Sequence, residues 1–101
     1  MVSYSDRAVV PADVLVRFLD REAVLLNLNT ERYFGLDETG ARMWQLVTEM
    51  PSIEKAYEAL LAEFEVEAEL LRSNLTDLIV KLAENGLLQL VPADVGTIST
   101  I

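Results

Sequence analysis

The chain has 101 residues, 51% of them hydrophobic, enough for one folded domain with a single core and too few for two. It contains neither Cys nor His, which excludes thiol nucleophiles, thiolate zinc sites and imidazole bases. The formal net charge of −9 opposes nucleic acid and anionic membrane as partners, and favours an extended or basic peptide or another protein.

No apolar run approaches the roughly 18 residues of a membrane span. The first residues lack a basic stretch followed by an apolar one. Absence of Cys fits a reducing compartment, so the expected location is the cytoplasm.

Residues 1–12 show no sustained period and end near Pro11, which predicts an N-terminal arm. Asp13 to Asp20 is rich in β-branched and apolar residues and predicts a strand, with Val14, Val16 and Phe18 on one face. Asp20-Arg21-Glu22 is a polar break, and Ala23 to Leu28 predicts a second strand with Val24, Leu26 and Leu28 on one face. Asn29-Thr30-Glu31 predicts a turn, since Asn tolerates a left-handed backbone. Arg32 to Leu36 predicts a short third strand. Breaks this brief favour hairpins, hence an antiparallel meander.

From Asp37 the period becomes helical. Asp37 or Thr39 can cap a first helix with the stripe Met43, Trp44, Leu46, Val47 and Met50, stopped by Pro51. Ser52 caps a second, with Ile53, Ala56, Tyr57, Leu60, Leu61 and Phe64 at helical spacing. A third helix runs to about Asn85, buries Leu71, Leu75, Leu78, Ile79 and Leu82, and ends with Gly86 as a left-handed cap. Leu87-Leu88 folds back, and a flexible tail is expected over 92–101, leaving 13–91 as the domain. The expected class is α+β, a three-stranded antiparallel sheet followed by three helices, like a winged helix-turn-helix.

The third strand is an edge in such a meander, and an edge exposes unpaired N–H and C=O groups. Arg32 to Leu36 carries two aromatics and a Gly that admits another backbone, the features of a site for strand addition by a peptide. The competing reading makes Tyr33 and Phe34 core residues and covers the edge with the arm. On the third helix, Leu70, Asn74, Lys81 and the flank of Leu78 form a second stripe, wider than core packing requires. Glu63, Glu65, Glu67 and Glu69 lack the interleaved oxygens and Gly of a cation loop, so they read as a solvated helix start and no metal is assigned. The same helix exposes a net acidic face, which counts against duplex DNA.

The run Leu26 to Leu46 (LNLNTERYFGLDETGARMWQL), the acidic FEVE at Phe64 to Glu67, and L-x-x-L-I-x-x-L-x-x-x-G-L-L from Leu75 to Leu88 together resemble the PqqD-like superfamily. These are the precursor-recognition elements of ribosomally synthesised, post-translationally modified peptide (RiPP) pathways. The resemblance covers roughly Val14 to Leu90, and its most specific part is Tyr33, Gly35 and Leu36 leading into Gly40 and Trp44. It implies a non-enzymatic protein without cofactor that binds a precursor's leader as an added strand.

By position it implicates Arg32, Tyr33, Phe34, Gly35 and Leu36 on the strand, and Leu71, Asn74, Leu75, Leu78 and Lys81 on the helix. The family often carries Asp where this chain has Glu65 or Asn74, which weakens the cap of the third helix. The closest resemblance is to the free-standing proteins of lasso-peptide pathways, which implies a leader peptide, a leader peptidase and a cyclase as partners. A peptide chaperone for a radical SAM enzyme is the alternative within the family. A winged-helix DNA-binding regulator is the alternative outside it.

Overall fold

The computed structural model describes residues 2–92, so most of the expected tail, 93–101, lies outside the described residues. The elements are β1 (Asp6–Val9), β2 (Val14–Leu19), β3 (Glu22–Asn27), β4 (Arg32–Leu36), α1 (Glu38–Glu49), α2 (Ile53–Glu63), α3 (Ala68–Glu84) and β5 (Gln89–Pro92). β2, β3 and β4 form the expected antiparallel meander, in that order. Its tight turns place Asp20 and Glu31 at φ 62° and 61°, a conformation Asp adopts more readily than Glu.

Cross-strand partners share a face of the sheet. Phe18, Ala23 and Leu36 form one such row, and Val16, Leu25 and Phe34 the next. This is the core side, where Ala23, Leu25 and Leu36 are buried. The outer side carries Leu15, Leu26 and Tyr33, then Arg17, Val24 and Gly35. The buried residues of β3 are therefore its odd-numbered ones, and Val24 and Leu26 share the opposite face as expected.

The arm is more ordered than the sequence suggests. β1 pairs antiparallel with β5 in a separate two-stranded sheet, with Ala8 opposite Leu90 and buried. Both strands are four residues long, and each finds its partner at the opposite end of the chain, so no local pattern announces them.

The helices follow the caps in the sequence. The Asp37 carboxylate accepts from the Gly40 N–H at 2.8 Å, and Ser52 Oγ accepts from the Lys55 N–H at 3.2 Å. α3 has Glu67 at its N-cap with no side-chain hydrogen bond, so the cap position is neither Glu65 nor Asn74. It ends in a Schellman motif: Gly86 sits at φ 70°, its N–H bonds to the Ala83 carbonyl, and the Leu87 N–H bonds back to Leu82 at 2.8 Å. Arg42 clamps Glu63 through its guanidinium at 2.8 Å and holds that carboxyl below its usual range, joining α1 to α2. Both side chains are over a third exposed, so the pair adds little stability.

One buried polar residue ties sheet to helix. Asn27, at 6% exposure, accepts from the Asn29 and Thr30 N–H groups through Oδ1. Its Nδ2 donates to the carbonyls of Asn85 and Gly86, both at 3.3 Å. A single side chain therefore shapes the β3–β4 turn and docks it on the end of α3.

Asn27→Leu is expected to lose at least about 2 kcal/mol in urea denaturation, because the buried partners keep their desolvation cost without the bonds. Gly86→Ala should lose about 1–2 kcal/mol from its left-handed backbone alone. A Cβ there would also meet Asn27 Nδ2 at 2.9 Å. Unchanged midpoints for both would contradict the clamp.

Candidate functional site

Among the described residues β4 pairs only with β3, so its other edge has no strand partner. That edge opens on a groove of about 490 Å³ lined by Phe34, Gly35, Leu36, Asp37 and Gly40 on one side and Asn74, Asp77, Leu78 and Lys81 on the other. α3 runs opposite to β4: its Asn74 end lies by Leu36, while Arg32 shares an adjoining polar cleft of about 650 Å³ with Glu84, Asn85 and Gly86.

The groove joins six of the ten residues singled out from the sequence: Phe34, Gly35, Leu36, Asn74, Leu78 and Lys81. Phe34 and Leu78 are half-buried and pack against the core while lining the groove. Tyr33 is 74% exposed on the outer sheet face. Arg32 is exposed at the start of the strand, beside the adjoining cleft. Leu71 and Leu75 do not line the groove; at 2% and 0% exposure they are core residues of α3.

Asp37, Gly40 and Asp77 line the groove and were not in the predicted set. Asp77 was within reach of sequence reasoning, since it stands four residues before Lys81 on one helix face.

The two groove glycines differ. A Cβ on Gly40 would press on Asp37 Oδ1 and Leu36 Cδ2, both at 3.3 Å, so packing within the chain accounts for it. A Cβ on Gly35 would meet nothing within 4 Å, and its backbone is not left-handed. Gly in a strand costs about 0.5–1 kcal/mol relative to Ala. Nothing inside this chain offsets that cost at Gly35.

The arm lies elsewhere. The Arg72 guanidinium lies over the rings of both Tyr4 and Tyr57, 4.2 and 4.4 Å from their centroids, and the two rings meet edge-on at 5.9 Å. The Tyr4 hydroxyl donates to the Arg72 carbonyl at 3.0 Å and lies 2.8 Å from Thr76 Oγ1. Burial raises the Tyr4 pKa, so the phenol stays protonated at neutral pH. The Tyr4 carbonyl also accepts the Glu54 N–H in the first turn of α2.

At about 100° per residue, Arg72 and Thr76 fall on the side of α3 away from Asn74, Leu78 and Lys81. The arm thus leaves the β4 edge open, and the reading that covered it with the arm does not hold.

A three-stranded meander with an open edge beside the last of three helices is a winged-helix-like α+β arrangement whose distinctive surface is a strand edge. The family model described as coenzyme PQQ synthesis protein D (PqqD) matches residues 22–88, and the chain belongs to this family. Two solved structures share the fold. One, described as TbiB1 in complex with the TbiA(beta) leader peptide, is 36% identical, with TM-score 0.73 over 80% of this chain and 94% of that one. The other, a lasso peptide synthetase B1 complexed with the leader peptide, is 25% identical, with TM-score 0.71 over 82% of this chain and 98% of that one. No curated protein matches the chain in sequence. No helix among the described residues is long and apolar enough to cross a membrane.

The division of α3 into core and groove residues has a direct check. Leu75→Ala should cost about 2–5 kcal/mol in urea denaturation, as buried Leu truncations do. Asn74→Ala, on the exposed groove side, should stay within about 0.5 kcal/mol of wild type. Comparable losses for the two would contradict the assignment.

Proposed function

We propose that this protein binds the leader region of a ribosomally synthesised precursor peptide as a fourth strand on β4, with α3 as the second wall. The observation that carries this reading is the open β4 edge facing the groove, with Gly35 within it unexplained by any contact in the chain. Two proteins of the same fold are described as complexes with leader peptides.

Backbone pairing along Arg32 to Leu36 supplies affinity common to many sequences. Phe34 and Leu78 give the apolar seat, and Asn74 and Lys81 the polar rim. Leu71 and Leu75 act from beneath, by fixing α3 to the core. Residues 13–91 form the recognition domain, and the 1–12 arm braces α2 and α3 on the far side.

The protein has no catalytic step of its own in this account. Capture of the leader raises the effective concentration of the core peptide near a leader peptidase and a cyclase, in the cytoplasm where precursors are made. The lasso-type partners are preferred to a radical SAM enzyme because one of the two similar structures is described as a lasso peptide synthetase B1.

Fluorescein-labelled leader peptides, the TbiA(beta) leader among them, should bind the wild-type chain saturably in anisotropy titrations. Gly35→Val should weaken that binding at least tenfold while leaving the urea midpoint unchanged or higher. Equal affinity for both proteins would sink the edge as the binding element.

A further inference from the structure

Backbone pairing alone does not fix where a peptide sits on an edge. A slip of one residue turns every side chain to the other face, and a slip of two preserves the faces but shifts the sequence. The groove offers one apolar seat, Phe34 with Leu78, and many sequences can place an apolar residue there. A register therefore needs a second, different anchor.

Lys81 has the placement for that anchor. It is the one cation in the groove lining, which otherwise holds the carboxylates Asp37 and Asp77. The Asp37 carboxylate is engaged with the Gly40 N–H. Asp77 stands one turn before Lys81, yet the two form no ion pair. Arg21, Arg42, Lys55 and Arg72 each hold a carboxylate; Lys81, like Arg7, Arg17 and Arg32, holds none among the described residues, and of these four only Lys81 lines the groove.

In a chain with 17 acidic side chains against 8 basic ones, Lys81 is the unpaired cation that this groove presents to an occupant. Its position in the last turn of α3 also suits the helix dipole. That effect acts on the helix alone and gives no preference for any peptide charge.

We propose, resting on the reading of this groove as a peptide site, that the bound strand carries an Asp or Glu opposite Lys81, two residues from the apolar side chain seated on Phe34 and Leu78, and that this carboxylate sets the register. The spacing follows from the two walls. Leu78 and Lys81 are separated by about 4.5 Å along the helix axis. Same-face residues of a strand are about 6.7 Å apart. The flexible Lys stem spans the difference. Because α3 runs opposite to β4, the carboxylate lies toward the Arg32 end of the edge and the apolar residue toward Leu36. Asp77, adjacent to Leu78 in the same wall, repels an acid placed at the apolar seat, so the same charges disfavour the slipped register.

The test is selection of a displayed library of random 16-residue peptides on the full chain, on Lys81→Glu and on Lys81→Ala. Circular dichroism serves to confirm that both variants are folded. Peptides selected by the wild type should share an apolar residue with Asp or Glu two positions away. Selection on Lys81→Glu should replace that acid by Lys or Arg, and selection on Lys81→Ala should leave the position without a preference.

Reversing the acid in a selected peptide should weaken wild-type binding at least tenfold and restore it on Lys81→Glu. Enriched peptides that lose binding to Gly35→Val but show no acidic position would overturn this inference and leave the groove reading standing. No enrichment on any of the three proteins, or enrichment indifferent to Gly35→Val, would overturn both.

Discussion

The contact between Asn27 and the end of α3 is what makes a groove out of a sheet and a helix. β4 reaches the rest of the molecule through β3 and through half-buried Phe34 and buried Leu36, and a two-stranded hairpin by itself is marginal. Asn27 ends β3, and its Oδ1 holds the following turn while its Nδ2 holds the carbonyls just past α3. The left-handed Gly86 turns those carbonyls toward it, and no side chain can replace the glycine hydrogen without striking the amide. The spacing between β4 and α3, and so the width of the groove, follows from this joint.

Three faces of α3 do three different things. Leu71, Leu75, Ile79 and Leu82 fill the core, Asn74, Leu78 and Lys81 face the groove, and Arg72 with Thr76 receives the arm. The arm's strand closes onto β5 and its Tyr4 grips the far side of the helix, which fixes the helix without occupying the edge. An unpaired edge is ordinarily a hazard that proteins blunt. Here the arm strand is committed to β5, and the edge strand has a glycine the chain itself does not require.

Much of this was legible in the sequence because the signals are local. Arg32 to Leu36, the caps at Asp37 and Ser52, and the stop at Gly86 each rest on a few adjacent residues, and the structure has all of them. β1 and β5 were not legible: each is too short to show a period, and their pairing joins the two ends of the described chain. Asn27 read as an ordinary strand residue, since its four partners are distributed over two segments far apart in sequence. The helical pattern merged Leu71 and Leu75 with the groove residues, because a stripe every three or four positions does not say which flank is covered. Exposure separated them. Family membership shows the fold to which these residues belong, while the occupant of the groove is an argument from the open edge.

Amide hydrogen exchange of the full chain, with and without a saturating leader peptide, tests the central claim most directly. The account predicts that the β4 amides pointing away from β3, alternate ones from Arg32 to Leu36, exchange quickly in the free protein and gain strong protection on binding, while β1 and β5 change little. Protection confined to the arm, β5 or the Arg72 side of α3, with β4 unaltered, would contradict it.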